Sequence, residues 1–171
     1  MGARNALTSV ARTAFGFALL VGLAGCAYYS TGGGVPEHIK TIGAEFFENE
    51  TAETGLSEYM TRALSELLLS RPQFRYGSSR NADAVVRGTV IDLVDEPLTY
   101  SGGQPTQYQV LVRIDVEVYD RVKRRTLWQR EGLEGQGVYD PAGGLVARQE
   151  ALGTAFRELA GRVVDGIVSG W

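Results

Sequence analysis

Apolar and polar residues alternate along Tyr108 to Val118. Tyr108, Val110, Val112, Ile114, Val116 and Val118 fall on one side, and Gln109, Arg113, Asp115 and Glu117 on the other. A period of two over that length predicts a strand with one buried and one wet face, as in an antiparallel sheet. The polar "DRVKRR" predicts a turn, and "TLWQREGLEGQGVY" a returning strand whose glycines at 132, 135 and 137 suggest bulges or bends. Upstream, Asp83 to Val94 is rich in β-branched residues and predicts another strand, with Pro97 demoting its end. "LTYSGGQPTQ" then reads as a loop or an exposed hairpin end. "IKTIGAEFFEN" predicts a first strand, and "FRYG" a short one.

Two segments change period. Leu56, Met60, Ala63, Leu64, Leu67 and Leu68 recur at helical spacing and predict a helix over Leu56 to Leu69, closed by Pro72. Leu152, Ala155, Phe156, Leu159, Val163 and Ile167 form a second stripe, with Arg148, Glu150, Arg157, Glu158 and Arg162 opposite, and predict a helix over about Val146 to Val168. The order strand, helix, three or four strands, helix predicts an α+β domain. Two amphipathic helices would lie on one face of a mostly antiparallel four-stranded sheet as a two-layer sandwich.

The N-terminus has a different pattern. Arg4 and Arg12 precede the apolar run Ala14 to Leu23, and small residues lead to Cys26, the single cysteine. A basic start, a short apolar core and a small-residue cleavage site make a secretory signal, expected over residues 1–25. The run is shorter than the roughly 20 apolar residues of a membrane span. "LAGC" resembles the bacterial lipobox, in which the signal is cut before a cysteine that takes a lipid on its thiol. Cys26 is therefore expected to be acylated, with diacylglycerol and an N-acyl chain such as palmitate as the only added groups and no other cofactor. Several acyl chains on one residue give stable anchoring. Ala27 stands where an aspartate in such lipoproteins often signals the inner membrane, so the outer membrane is expected. Residues 26–38, with "STGGGVP", would be a flexible tether, and 39–171 a single domain.

Losing Arg4 and Arg12 with the signal leaves 15 basic residues against 20 acidic ones. That balance argues against a general nucleic-acid binder. His38 is the only histidine and sits beside the tether, where a solvated loop position is expected. Without a second histidine or cysteine there is no zinc-ligand set and no Cys–His pair, and the carboxylates are scattered rather than paired. No catalytic residue and no metal ligand is assigned. One basic cluster stands out: Arg121, Lys123, Arg124 and Arg125 at a hairpin tip. It could be a solvated turn that blocks edge pairing, or a contact for phosphate or an acidic partner.

The chain resembles the LptE family, lipoproteins of the outer-membrane lipopolysaccharide translocon. The resemblance lies in "LAGCAYYSTGGGVPEHIKTIGAEFFENET", "LSEYMTRALSELLLSRPQFR", "ADAVVRGTVID", "YQVLVRIDVEVYDRVKRRTLWQREGLEGQGVY" and "EALGTAFRELAGRVVDGIVSGW". It implies a non-enzymatic plug inside an LptD-like β-barrel that assists barrel assembly and binds lipopolysaccharide. Arg121, Lys123, Arg124 and Arg125 are the cluster that could match the family's phosphate-binding basic residues. "FFEN" and "ADAVVRG" also look like activators of penicillin-binding proteins and the curli-secretion pore lipoprotein. A lipoprotein docking on a cell-wall synthase or secretion pore is thus the alternative. The tether of roughly ten residues spans at most about 35 Å. That suits a plug held at its own membrane better than an activator reaching across the cell wall.

If Cys26 carries the lipid, labelled palmitate enters the wild-type chain and not Cys26→Ser. Equal labelling of the two would refute the assignment.

Overall fold

The computed structural model describes residues 36–72 and 75–169. The expected signal and most of the expected tether lie outside them. Among the described residues, six strands and two helices follow in the order β1 (Thr41–Ala44), β2 (Glu48–Asn49), α1 (Leu56–Ser70), β3 (Arg75–Tyr76), β4 (Ala84–Ser101), β5 (Gln104–Asp120), β6 (Arg125–Tyr139) and α2 (Gly144–Ser169), with a 3₁₀ turn at Pro141–Gly143 before α2. The strands form one sheet in the order β3-β1-β4-β5-β6, with β2 also paired to β4.

The α+β class and the helices on one face of the sheet are as expected, but the sheet is mixed. β4–β5 and β5–β6 are antiparallel, whereas β1–β3, β1–β4 and β2–β4 are parallel. The expected mostly antiparallel sheet of four or so strands therefore holds for the three long strands, while the short strands expected at "IKTIGAEFFEN" and "FRYG" are present but pair in parallel. "IKTIGAEFFEN" is two strands, because the chain leaves β4 after Ala44 and rejoins it at Glu48. A connection through α1 returns the chain beside β1, and such a crossover makes neighbouring strands parallel.

Alternation in β5 places Val110, Val112, Ile114, Val116 and Val118 in the core. From α1 come Leu56, Met60, Leu64 and Leu68, and from α2 Leu152, Ala155, Phe156, Leu159, Val163 and Ile167, all buried. Tyr59 and Phe156 stack across the helices at 5.8 Å between ring centroids. The other sheet face is polar and cross-linked. Arg113 reaches Asp92 at 3.0 Å and Glu134 at 2.7 Å, and Arg87 pairs with Glu117 at 2.8 Å.

β4 runs through Pro97 to Ser101, beyond its expected end. There it has passed β1 and β2 and is an edge, so the missing N–H of Pro97 leaves no partner strand unsatisfied. Gly102 and Gly103, at φ +59° and +82°, close the β4–β5 hairpin in two residues, the left-handed pair that such a tight turn requires.

Gly135 and Gly137 are not bulges. They face α2, and a Cβ on Gly137 would stand 2.0 Å from the Ala151 carbonyl oxygen. On Gly135 it would stand 2.5 Å from that of Ala155. The helix backbone lies directly on the strand. Gly132 does accompany a register break between Ile114 and Val116. Beside this contact, Glu158 of α2 accepts the Gln136 amide of β6 at 2.9 Å and an Arg162 guanidinium N–H at 2.6 Å.

Gly137→Ala should lower stability by about 1–3 kcal/mol, because the clashing atoms are backbone and cannot rotate away. Gly161→Ala, where an added Cβ meets nothing within 4 Å, should be neutral or stabilising by up to about 1 kcal/mol. Chemical denaturation of the two variants checks the contrast.

Candidate functional site

The predicted basic cluster occupies the turn between β5 and β6, and its framework is the carboxylate of Asp120. This group is fully buried, yet it is saturated with donors. The backbone N–H groups of Val122 and Lys123 donate to Oδ1 at 2.9 and 2.8 Å. His38 Nε2 lies 2.7 Å from Oδ2. Burial pushes the Asp120 carboxyl up, but the Lys123 amide, His38 and the Val122 amide outweigh it and hold it below its ordinary 3.8. His38 is thus not the solvated loop histidine expected from its position. It fastens the segment that enters the domain onto the turn.

Asp83 makes a second joint at the same end. Its Oδ2 accepts the Lys40 and Thr41 amides at 2.8 and 2.9 Å, and its carbonyl accepts the Arg121 amide at 2.8 Å. The Lys40 amide is the main reason its carboxyl also titrates below 3.8.

The four predicted basic residues divide. Arg121, though exposed, turns back onto the domain, its guanidinium donating to the carbonyls of Ser79 and Arg80. Lys123, Arg124 and Arg125 are exposed and make no ion pair among the described residues. Val122 between them is 57% exposed, and Arg124 adopts φ +53°, which completes the turn. The result is a preformed apex of one apolar and three cationic side chains. Cys26 lies outside the described residues.

A cleft of about 550 Å³ opens on the polar face of the sheet. Glu45, Glu48, Asp115, Glu117 and Glu131 line it with Arg87 and Arg130, and Arg87 is already engaged by Glu117. That surplus of carboxylates repels an anionic ligand. Among the described residues no cluster of His, Cys, Asp and Glu is placed to hold a metal ion, and no helix is long and apolar enough to cross a membrane.

A model of the LptE lipopolysaccharide-assembly family matches residues 39–167. The chain belongs to the LptE family. The match spans the whole sandwich, from the residue after His38 to the last buried turn of α2. No curated protein has a sequence that matches the chain. Solved structures share the fold at low identity. A Xanthomonas campestris protein has a TM-score of 0.59 at 9% identity, covering 80% of this chain and 88% of that one. Lipoprotein B of Nitrosomonas europaea has 0.53 at 9%, covering 81% and 86%. A Caulobacter crescentus lipoprotein has 0.51 at 16%, covering 72% and 88%. This LptE-family chain thus has the fold of several lipoproteins.

Sequence reasoning missed Asp120 and Asp83 as organisers of this end. It also missed Arg148, which was placed on the polar face of α2. Arg148 binds Glu53 with both terminal nitrogens at 2.8 Å and Asp95 at 2.7 Å, and these contacts raise its pKa. It ties α2 to β4 and to the loop before α1.

Asp120 and Asp83 both titrate lower folded than unfolded. Their stabilisation is complete above the ordinary carboxyl range and is lost as pH falls below 3.8 through the folded values. Asp120→Ala should cost about 2–4 kcal/mol at neutral pH, since it orphans two amides and the His38 ring. The difference from wild type should shrink toward pH 3, as read by denaturation at a series of pH values.

Proposed function

We propose that the chain is an outer-membrane lipoprotein, acylated at Cys26, that plugs an LptD-like β-barrel and assists its assembly in lipopolysaccharide transport and insertion. The observation that carries this reading is the LptE-family match across the entire sandwich, residues 39–167. The role is one of binding and assembly rather than catalysis. The long β4–β5–β6 sheet offers a rigid, polar outer face laced by Arg113, Asp92 and Glu134, suited to lie against a partner's wall. The exposed side chains of Lys123, Arg124 and Arg125 supply the contacts to glycolipid phosphate, and Arg121 supports the turn from behind. Ammonium and guanidinium groups form charge-assisted hydrogen bonds with phosphate oxygens.

Purification of the tagged lipoprotein from outer membranes should recover a large β-barrel in one-to-one ratio, and recovery of a cell-wall synthase instead would overturn the reading. Changing Lys123, Arg124 and Arg125 together to serine should weaken lipopolysaccharide capture by roughly tenfold at low salt, and by much less at high salt, as expected for three exposed contacts. The barrel should still co-purify, because an obligate interface depends on large, well-matched area. Unchanged capture at both salts would make the turn a solvated hairpin tip.

A further inference from the structure

We infer that the end of the domain bearing the β5–β6 turn docks on anionic phospholipid headgroups of the leaflet that holds the chain's own acyl anchor. This rests on the proposed acylation of Cys26.

Three observations point to that end. The chain enters the fold there, because His38 is fastened to Asp120 at 2.7 Å and the Lys40 amide to Asp83 at 2.8 Å. The reach from Cys26 to Pro36 is at most about 35 Å even when fully extended. The β4–β5 hairpin, with 17 residues in β5, is about 55 Å long, so an anchor of that reach cannot stand the domain upright on its Gly102–Gly103 end.

Charge makes the same choice. Lys40, Arg80, Lys123, Arg124 and Arg125 are exposed around this end and make no ion pair among the described residues. Asp83 and Asp120 are engaged by backbone amides, and the partly exposed Glu117 by Thr126 and Arg87, which leaves Glu37 and Asp165 as exposed carboxylates there. Elsewhere the domain is acidic, with five carboxylates on the cleft alone, so an anionic surface repels the other faces. Val122 projects from the apex among the cations, an apolar group flanked by positive charge as at a membrane interface. The apex is also preformed, clamped by Asp120 below and by Arg121 on the Ser79 and Arg80 carbonyls. Docking therefore requires little ordering of the turn.

Lys40 and Lys123 are the chain's two lysines, and both lie at this end. The full lipoprotein is reconstituted in nanodiscs of phosphatidylcholine, with or without phosphatidylglycerol, and treated with an amine-reactive label. Labelling of Lys123 should be at least about threefold slower in the anionic discs at low salt and should recover at high salt. Arg124→Glu with Arg125→Glu should abolish the protection while the melting temperature stays unchanged. Equal labelling of Lys123 in the two kinds of disc overturns the inference. Protection that requires added lipopolysaccharide and ignores phosphatidylglycerol also overturns it, and leaves the glycolipid contact standing. Intact mass reports acylation separately: an acylated but unprotected chain defeats only the docking, and a chain without acyl mass defeats both.

Discussion

The close approach of α2 to β6 sets the rest of the architecture. Helix and strand can lie backbone against side-chain-free backbone because Gly135 and Gly137 present no Cβ to the carbonyls of Ala155 and Ala151. Two alanines at the matching helix positions keep the gap narrow, Leu159 lies over Gly135, and Leu152, Phe156 and Leu159 share one buried core with the valines of β5. At the far end of the helix, Trp128 takes up the space over Gly166, where a Cβ would stand 2.4 Å from its ring. Apolar burial supplies the driving force, and this stripe of small residues fixes where the helix sits.

A second constraint works through charge. Arg148 is only partly exposed, with 22% of its side chain accessible, and it gathers two carboxylates from segments far apart in sequence. Its planar guanidinium can serve both because it offers donors in several directions at once. Asp120 plays the complementary part at the other end, where one anion gathers donors from its own turn and from His38. The sandwich is thus closed at one end by a cation between anions and at the other by an anion among N–H donors.

The periodic part of this fold was legible in the chain. Every valine and isoleucine of the β5 alternation from Val110 to Val118 is buried, and both helical stripes point into the core. What escaped has physical causes. β1, β2 and β3 were expected as strands, but at two to four residues they are too short to show a period, so neither the break between β1 and β2 nor their parallel pairing through a crossover could be read. Gly135 and Gly137 look like any strand glycines until the helix that covers them is in place. His38, Asp83 and Asp120 are single polar residues whose meaning depends on partners about 40 to 80 positions away. The basic turn was visible as a cluster. Its division into one structural arginine and three outward cations depended on where the Ser79 and Arg80 carbonyls fall.

The Gln136 amide held by Glu158 bears on how the protein stays separate from its neighbours. β6 is an edge strand of 15 residues, a length that would ordinarily invite another chain to add itself to the sheet. Here a helix side chain already sits on that edge, accepting one of the outward N–H groups and bringing a charged carboxylate to the line an incoming strand would follow. A newcomer would have to displace the carboxylate and bury it or strand it. The same residue is tethered by Arg162, one helical turn away, so it does not swing aside freely. The helix that builds the core therefore also guards the sheet's open border, discouraging open-ended stacking of copies.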